Sequence, residues 1–226
     1  MRISICTGTY NSEKTLPLLY ESIVSQVITP YEWNIADDGS SDKTWELLKK
    51  YQIKLIPKIR VKIIRRKRNG IQYATNINNA FKVAGGDVVF QVMGDSYLWP
   101  DTLFQIKSTF KKDTVGSGLR VNVTEEGTFH SYDYRVPDGS DSIVEVPDYR
   151  YMTGNGLIVW RSDLKKVKYC DERYVGYGKF DWDLILRLSR LPRKLYQYNN
   201  VKIDHIYHGE GPPDDIENTK LFESKL

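Results

Sequence analysis

Residues 88–99 read VVFQVMGDSYLW, and the fold follows from that stretch. A short, mostly apolar run from Val88 closes on Met93-Gly94-Asp95. A strand that is apolar on both faces is buried between helices in a parallel sheet, so the run predicts a central parallel strand. Its carboxyl end delivers one carboxylate, Asp95, to the edge at which open α/β sheets bind ligands.

Upstream, a strand-turn-helix unit recurs three times. Residues 2–7 alternate like a strand, Gly8-Thr9-Tyr10-Asn11 turns, and Leu16, Leu19, Ile23 and Val27 recur at helical spacing, with Ser12 or Thr15 as cap. Residues 33–36 form a second strand ending in Asp37-Asp38-Gly39-Ser40, before a helix bearing Trp45, Leu48 and Tyr51. Residues 61–64 form a third, followed by a turn at Arg68-Asn69-Gly70 and a helix over 73–84 that Gly85-Gly86 ends. Three such units predict a doubly wound, mainly parallel α/β sheet with helices on both faces and right-handed crossovers. Downstream the pattern predicts a helix through Phe110 and a strand over 115–123 with one exposed face. A strand over 157–160, a helix over 181–190 and two last strands at 195–198 and 201–206 follow. Residues 129–141, rich in Tyr, Gly, Asp and Ser, read as a long loop or hairpin of the kind that forms lids.

The 226 residues suit one domain, with a first half over 1–113 and a mixed second half over 114–226. A composition 40% hydrophobic and 27% charged excludes a disordered or fibrous chain. No apolar run approaches the roughly 18 residues of a membrane span, and a strand starting at Ile3 leaves no room for a signal peptide. Cys6 and Cys170 are too few for a disulfide framework, so a reducing, cytoplasmic setting is expected. The net charge of +4 hides a separation: no acidic residue stands between Glu46 and Asp87, where Lys54, Lys58, Arg60, Lys62 and Arg65 to Arg68 crowd together. That stretch is either an anion site, which leaves peripheral membrane contact open, or a solvated sheet edge. Residues 54–68 contain no interleaved aromatic residue, which argues against nucleic acid. Acidic residues gather instead at Asp204, Glu210, Asp214, Asp215 and Glu217.

Four groups of residues have chemical potential. Asp37-Asp38 at a strand end can accept hydrogen bonds from a nucleobase or ribose, or make an Asx turn. Asp95 is a metal ligand, a turn residue or a cap, and a hard divalent cation there needs further ligands. His205 and His208 stand three apart just past a strand, either as metal ligands or as a surface turn. On the helix opened by Asp181-Trp182-Asp183, residues two apart point about 200° apart, so only one carboxylate faces a given cleft. Asp183 has Arg187 four residues on as a solvent-side partner, which leaves Asp181 as candidate base or as N-cap. The glycines of Gly154-Asn155-Gly156 and Gly176-Tyr177-Gly178 allow backbone to approach a ligand closely.

Read in order, the segments CTGTYNSEKTLPLLYESIVSQ, NIADDGSSDKT, RNGIQYATNINNAFKVAGGD, VVFQVMGDSYLWPDTL and RYVGYGKFDWDLILRL resemble the nucleotide-diphospho-sugar glycosyltransferases of the GT-A fold, family 2 type. The resemblance covers about residues 2–210, and GYGKFDWDLILRL is similar to the Gly-rich turn and acidic motif of galactosyltransferase-like members. It implies an inverting, hexosyltransferase-like enzyme. Thr7, Thr9, Asp38, Arg68, Asn76, Gly94 and Asp95 would line the nucleotide-sugar site, and Gly154, Asn155, Tyr177 and Gly178 the acceptor site. Asp181 would be the general base, with Asp183 next in line. Asp95, His208 and His205 would hold Mn2+ or Mg2+. The chain departs from the family in two places: Met93 stands where the first acid of the Asp-X-Asp motif falls, and Thr75 where members often have Arg. The expected partners are a nucleoside diphosphate sugar and a carbohydrate acceptor. Two other readings stand beside this one, a non-catalytic nucleotide- or carbohydrate-binding module of the same fold and a nucleotidyltransferase. The second would need a glycine-rich basic first loop, whereas residues 7–11 hold one glycine and no base.

Overall fold

The computed structural model of the chain describes residues 1–55, 58–133, 142–209 and 213–226. Its first half follows the expected repeat. Strand β1 (Ile3–Thr9) leads to α1 (Leu16–Val24), β2 (Glu32–Asp37) to α2 (Thr44–Leu55), and β3 (Arg60–Arg65) to α3 (Tyr73–Lys82), before β4 (Val88–Gln91). These strands lie in the order β3-β2-β1-β4 and every pairing among them is parallel, with Thr9 opposite Asp37 and Cys6 opposite Gln91. Alternation along β1 divides the core: Ile5 packs with Leu16, Leu19 and Leu48 of α1 and α2, while Cys6 faces Ala74, Ile77 and Phe81 of α3.

Beyond β4 the sheet becomes mixed. After β5 (Ser96–Leu98) and α4 (Thr102–Thr109) come β6 (Thr114–Val123), β7 (Phe129–Tyr132), β8 (Ile143–Glu145), β9 (Leu157–Trp160) and α5 (Arg161–Lys166). The chain ends with α6 (Phe180–Ser189), β10 (Lys194–Ile206) and α7 (Ile216–Glu223). The order continues from β4 through β9, β6 and β10 to β5, with β7 beside β6 and β8 beside β10. The halves over 1–113 and 114–226 therefore interleave, since β9 pairs with β4 and β5 pairs with β10.

Several expectations are corrected. Helix α1 stops at Val24, and Val27, outside it, is exposed. Strand β6 is buried along nearly its whole length, because it runs between β9 and β10; its polar residues are satisfied inside, Ser117 by the Thr153 backbone and Asn122 by Ser131. The two last strands are one, β10, with a register irregularity between Tyr198 and Lys202. Asp183 is not on a solvent face. It is fully buried, taking Arg187 Nε at 2.8 Å and Lys225 Nζ at 2.7 Å, because the C-terminal segment folds back over α6. Lys179, at φ 63°, precedes α6 as its N-cap, so Asp181 lies inside the first turn. Four of the eight cations of the basic stretch are paired from within: Lys62 with Glu32, Arg65 with Asp37, and both Arg66 and Arg68 with Asp38. Of the expected lid, Phe129–Tyr132 is strand β7 and residues 134–141 lie outside the described residues, as does Glu210.

Candidate functional site

The carboxyl ends of β1, β2 and β4 converge on two adjoining cavities of about 130 and 740 Å³, which share Tyr73, Met93, Asp95 and Phe180. Thr9, Tyr10, Asp38, Asn76 and Gly94 line the smaller one. Asn76, on α3, stitches the strand ends together by donating from Nδ2 to Ala36 O at 2.9 Å, which leaves its buried Oδ1 without a partner; the buried Thr9 Oγ is likewise unpartnered. Orphaned buried acceptors carry a desolvation penalty that a bound ligand relieves. Gly94 is required here, because a Cβ at that position would lie 2.7 Å from Thr9 Oγ. Asp38 receives Arg66 and, at 2.9 Å, Arg68, whose guanidinium also stacks on the Tyr10 ring at 3.5 Å. Asp37 is committed to the turn, accepting from Ser40 N and Oγ, and burial pushes its carboxyl up.

Asp95 sits where the two cavities meet. The short strand β5 that follows pairs antiparallel with β10, setting Ser96 opposite His205, and Ile206 N donates to Asp95 O at 3.0 Å. That pairing brings both imidazoles to one carboxylate: His205 Nε2 and His208 Nε2 each stand 3.6 Å from Asp95 Oδ2. Burial alone would raise the Asp95 carboxyl, but the His205 and His208 imidazoles, when protonated, outweigh it and hold it well below the usual carboxylate range. His208 is pushed up in turn by its hydrogen bond to Asp95. One ligand atom from each of the three residues lies within 4.8 Å of the others, a two-nitrogen, one-oxygen set of a kind that suits a divalent metal ion. Met93 adds no charge beside it. Its backbone N–H donates to Asn155 Oδ1 at 3.1 Å, and Asn155 Nδ2 donates to Ser96 Oγ at 2.8 Å, so Asn155 braces the Asp95 turn from the side of the larger cavity.

The larger cavity extends to Asp181. Its Oδ1 accepts from Trp182 N at 2.9 Å, and its Oδ2 lies 3.4 Å from Gly154 N. Gly154 permits that approach: a Cβ there would be 2.7 Å from Asp181 Cβ. Gly154, Asn155, Tyr177 and Gly178 all line this cavity with Asp95, Asp181, His205 and His208. Among the expected residues, Thr7, Arg68 and Asp183 line neither cavity. Thr7 is fully buried and its Oγ accepts from Trp33 Nε1 at 2.9 Å, which makes it part of the core. Tyr73, Asn122 and the Arg120–Asp133 pair (2.7 Å) are cavity residues without a signal in the sequence, since strands and helices far apart in the chain bring them there.

Comparison with known proteins places the chain in a family and a fold. The model of the family described as "Glycosyl transferase family 2" matches residues 4–174. Chondroitin synthase of Escherichia coli is 27% identical over 216 residues, 92% of this chain and 29% of that protein. The putative glycosyltransferase EpsE of Bacillus subtilis is 32% identical over 124 residues, 53% of this chain and 44% of EpsE. The chain thus spans less than half the length of these relatives. The crystal structure of S. aureus TarS 1-349 in complex with UDP-GlcNAc superposes with a TM-score of 0.72 at 22% identity, covering 93% of this chain and 60% of TarS 1-349. GalNAc-T7 with UDP, GalNAc and Mn2+ superposes with a TM-score of 0.77 at 15% identity, covering 99% of this chain and 48% of that one. At these identities the superpositions establish the shared fold.

Proposed function

This chain belongs to glycosyl transferase family 2, and from that premise we propose that it moves a sugar from a nucleoside diphosphate donor to a carbohydrate hydroxyl, inverting the anomeric carbon. The observation that carries this reading is the single cavity of about 740 Å³ in which Asp95, at the nucleotide side, and Asp181, at the acceptor side, both stand. The smaller cavity suits the nucleoside, whose polar groups would answer the orphaned Asn76 Oδ1 and Thr9 Oγ. The acceptor lies against Tyr177 and Gly178. As its oxygen bonds to the anomeric carbon, the bond to phosphate breaks with its electron pair, and the Asp181 carboxylate takes the hydroxyl proton. One displacement from the face opposite the diphosphate inverts the centre. Tyr73, Phe180 and Trp182 line the reaction space with ring surface and keep water from competing with the acceptor. Asp95, His205 and His208 would hold a divalent cation, Mn2+ or Mg2+, which when bound supplies charge neutralisation for the departing diphosphate.

UDP-linked N-acetylhexosamines are the first donors to test, because UDP-GlcNAc is bound in the TarS complex and UDP in the GalNAc-T7 one. Asp181→Asn should lower the transfer rate about 10²–10⁴-fold while leaving the dissociation constant for UDP unchanged. Retention of most transfer activity by this variant would remove Asp181 from the mechanism.

A further inference from the structure

The buried amide of Asn122 is held between two strands and aimed at one of the three metal-site residues. Asn122 lies on β6, opposite His205 in the parallel ladder with β10 and opposite Ser131 in the antiparallel ladder with β7. Its Nδ2 donates to Ser131 Oγ at 3.0 Å, and its Oδ1 stands 3.1 Å from His205 Nδ1. Asn122 and His205 are 7% and 9% exposed, so water does not substitute for this contact freely.

An amide has one end that donates and one that accepts. With Nδ2 committed to Ser131, the end facing His205 accepts, so the proton of the neutral imidazole belongs on Nδ1 and Nε2 presents a lone pair. That lone pair faces Asp95 Oδ2, itself an acceptor, at 3.6 Å. Two acceptors facing each other across that gap are stabilised by a cation between them. We propose that Asn122 is a positioning residue that holds His205 in its Nδ1-protonated tautomer, so that Nε2 is preset to bind a divalent cation together with Asp95 and His208. The inference rests on the metal reading above and assigns Asn122 the part of the outer hydrogen-bond partner that orients a ligating imidazole.

The test uses the whole chain and Mn2+ alone, with the free aqua ion followed by electron paramagnetic resonance. In protein labelled with ¹⁵N-histidine, His205 should show the Nδ1–H pattern in wild type and revert to Nε2–H in Asn122→Leu, a near-isosteric change without an acceptor. Asn122→Leu should weaken Mn2+ binding about 10–100-fold, and Asn122→Asp, which keeps the acceptor, should restore it. The double variant Asn122→Leu/His205→Ala should bind no more weakly than His205→Ala alone, because Asn122 acts through His205. Should Asn122→Leu fail to fold, Ser131→Ala, which removes the outer anchor of the amide, should weaken binding in the same direction by a smaller factor. Wild-type affinity in Asn122→Leu, or additive losses in the double variant, would overturn the proposal and leave the metal reading standing. Wild-type affinity in His205→Ala would overturn it by removing His205 from the ligand set. A wild type that takes up no Mn2+ would overturn both.

Discussion

At Met93 the chain places a thioether two residues before Asp95, and the surroundings show what that does. Met93 lines both cavities beside Asp95, and its backbone is pinned by Asn155. The site therefore has one negative charge and two imidazoles. Met93→Asp should tighten Mn2+ binding, read by the same resonance titration, and should lower the metal-free melting temperature, because two carboxylates would then share a confined space. A tightening without thermal loss would mean that the new carboxylate reaches solvent. The Asp95–His208 pair also makes metal-free stability depend on pH. The lowered Asp95 carboxyl contributes above about pH 4, and the contribution is lost as pH falls through its depressed folded value. The raised His208 imidazole contributes fully below about pH 6.5, and that contribution is lost as pH rises through its elevated folded value. The melting difference between wild type and His208→Ala in chelator should thus be largest at about pH 5–6 and shrink toward pH 9; a difference that grows with pH would contradict the pairing. Asp95, His205 and His208 were legible in the sequence because one apolar run aims the first and a three-residue spacing presents the others. Asn122 was not, since its meaning depends on which strands lie on either side of it. Thr7, expected at the nucleotide-sugar site, lines neither cavity, and alternation along β1 does not reveal that its hydroxyl is taken by Trp33.

At the scale of elements, α7 and the residues after it act on the helix that bears Asp181. Asp215 caps α7 by accepting from Glu217 N and Asn218 N, and Asn218 Nδ2 donates to the backbone oxygens of Tyr177 and Gly178. Two residues past the helix, Lys225 Nζ bridges Asp171 and the fully buried Asp183 at 2.7 Å each. Lys225→Met leaves Asp183 with Arg187 but without its second cation and should destabilise the chain by about 1–3 kcal/mol in a denaturant titration. No change in the midpoint would show that the tail does not hold α6. The first three strand-helix units were readable because each has a local period and a turn signal. Strand β5 has only three residues, too few to show a period. Strand β6 looked half exposed because Ser117, Arg120 and Asn122 are polar, yet Ser117 and Asn122 are buried and bonded and Arg120 pairs with Asp133. Helix α7 was missed because its short sequence, IENTKLFE, buries little beyond Asn218 and Phe222.

For the molecule as a whole, charge and ligand binding are the observables. Half of the cations in the basic stretch pair with carboxylates on β2 or just past it, so the sequence count overstates the charge that stretch leaves unpaired. Among the described residues no helix is long and apolar enough to cross a membrane. UDP with Mn2+ at 100 times its dissociation constant should add about 2.7 kcal/mol of stability, which for a chain of this size is a rise of about 5–10 °C in melting temperature. Asp95→Ala should abolish the part of the rise that requires Mn2+. A rise of equal size without the metal would argue that the three-residue cluster has no part in nucleotide binding. The fold was legible because apolar runs and turn residues are local signals, while the cavity is built from both ends of the chain and appears only once β9 and β10 are in place. The exchange of strands between the halves has one more consequence. The ladder runs without a break from β3 to β5, so residues 113 and 114, where the sequence suggested a division into halves, are not a place to cut it. A fragment ending there would expose the edge of β4 and orphan β5, inviting aggregation; the intact chain should melt in a single calorimetric transition, and its two halves should evolve and be engineered as one piece.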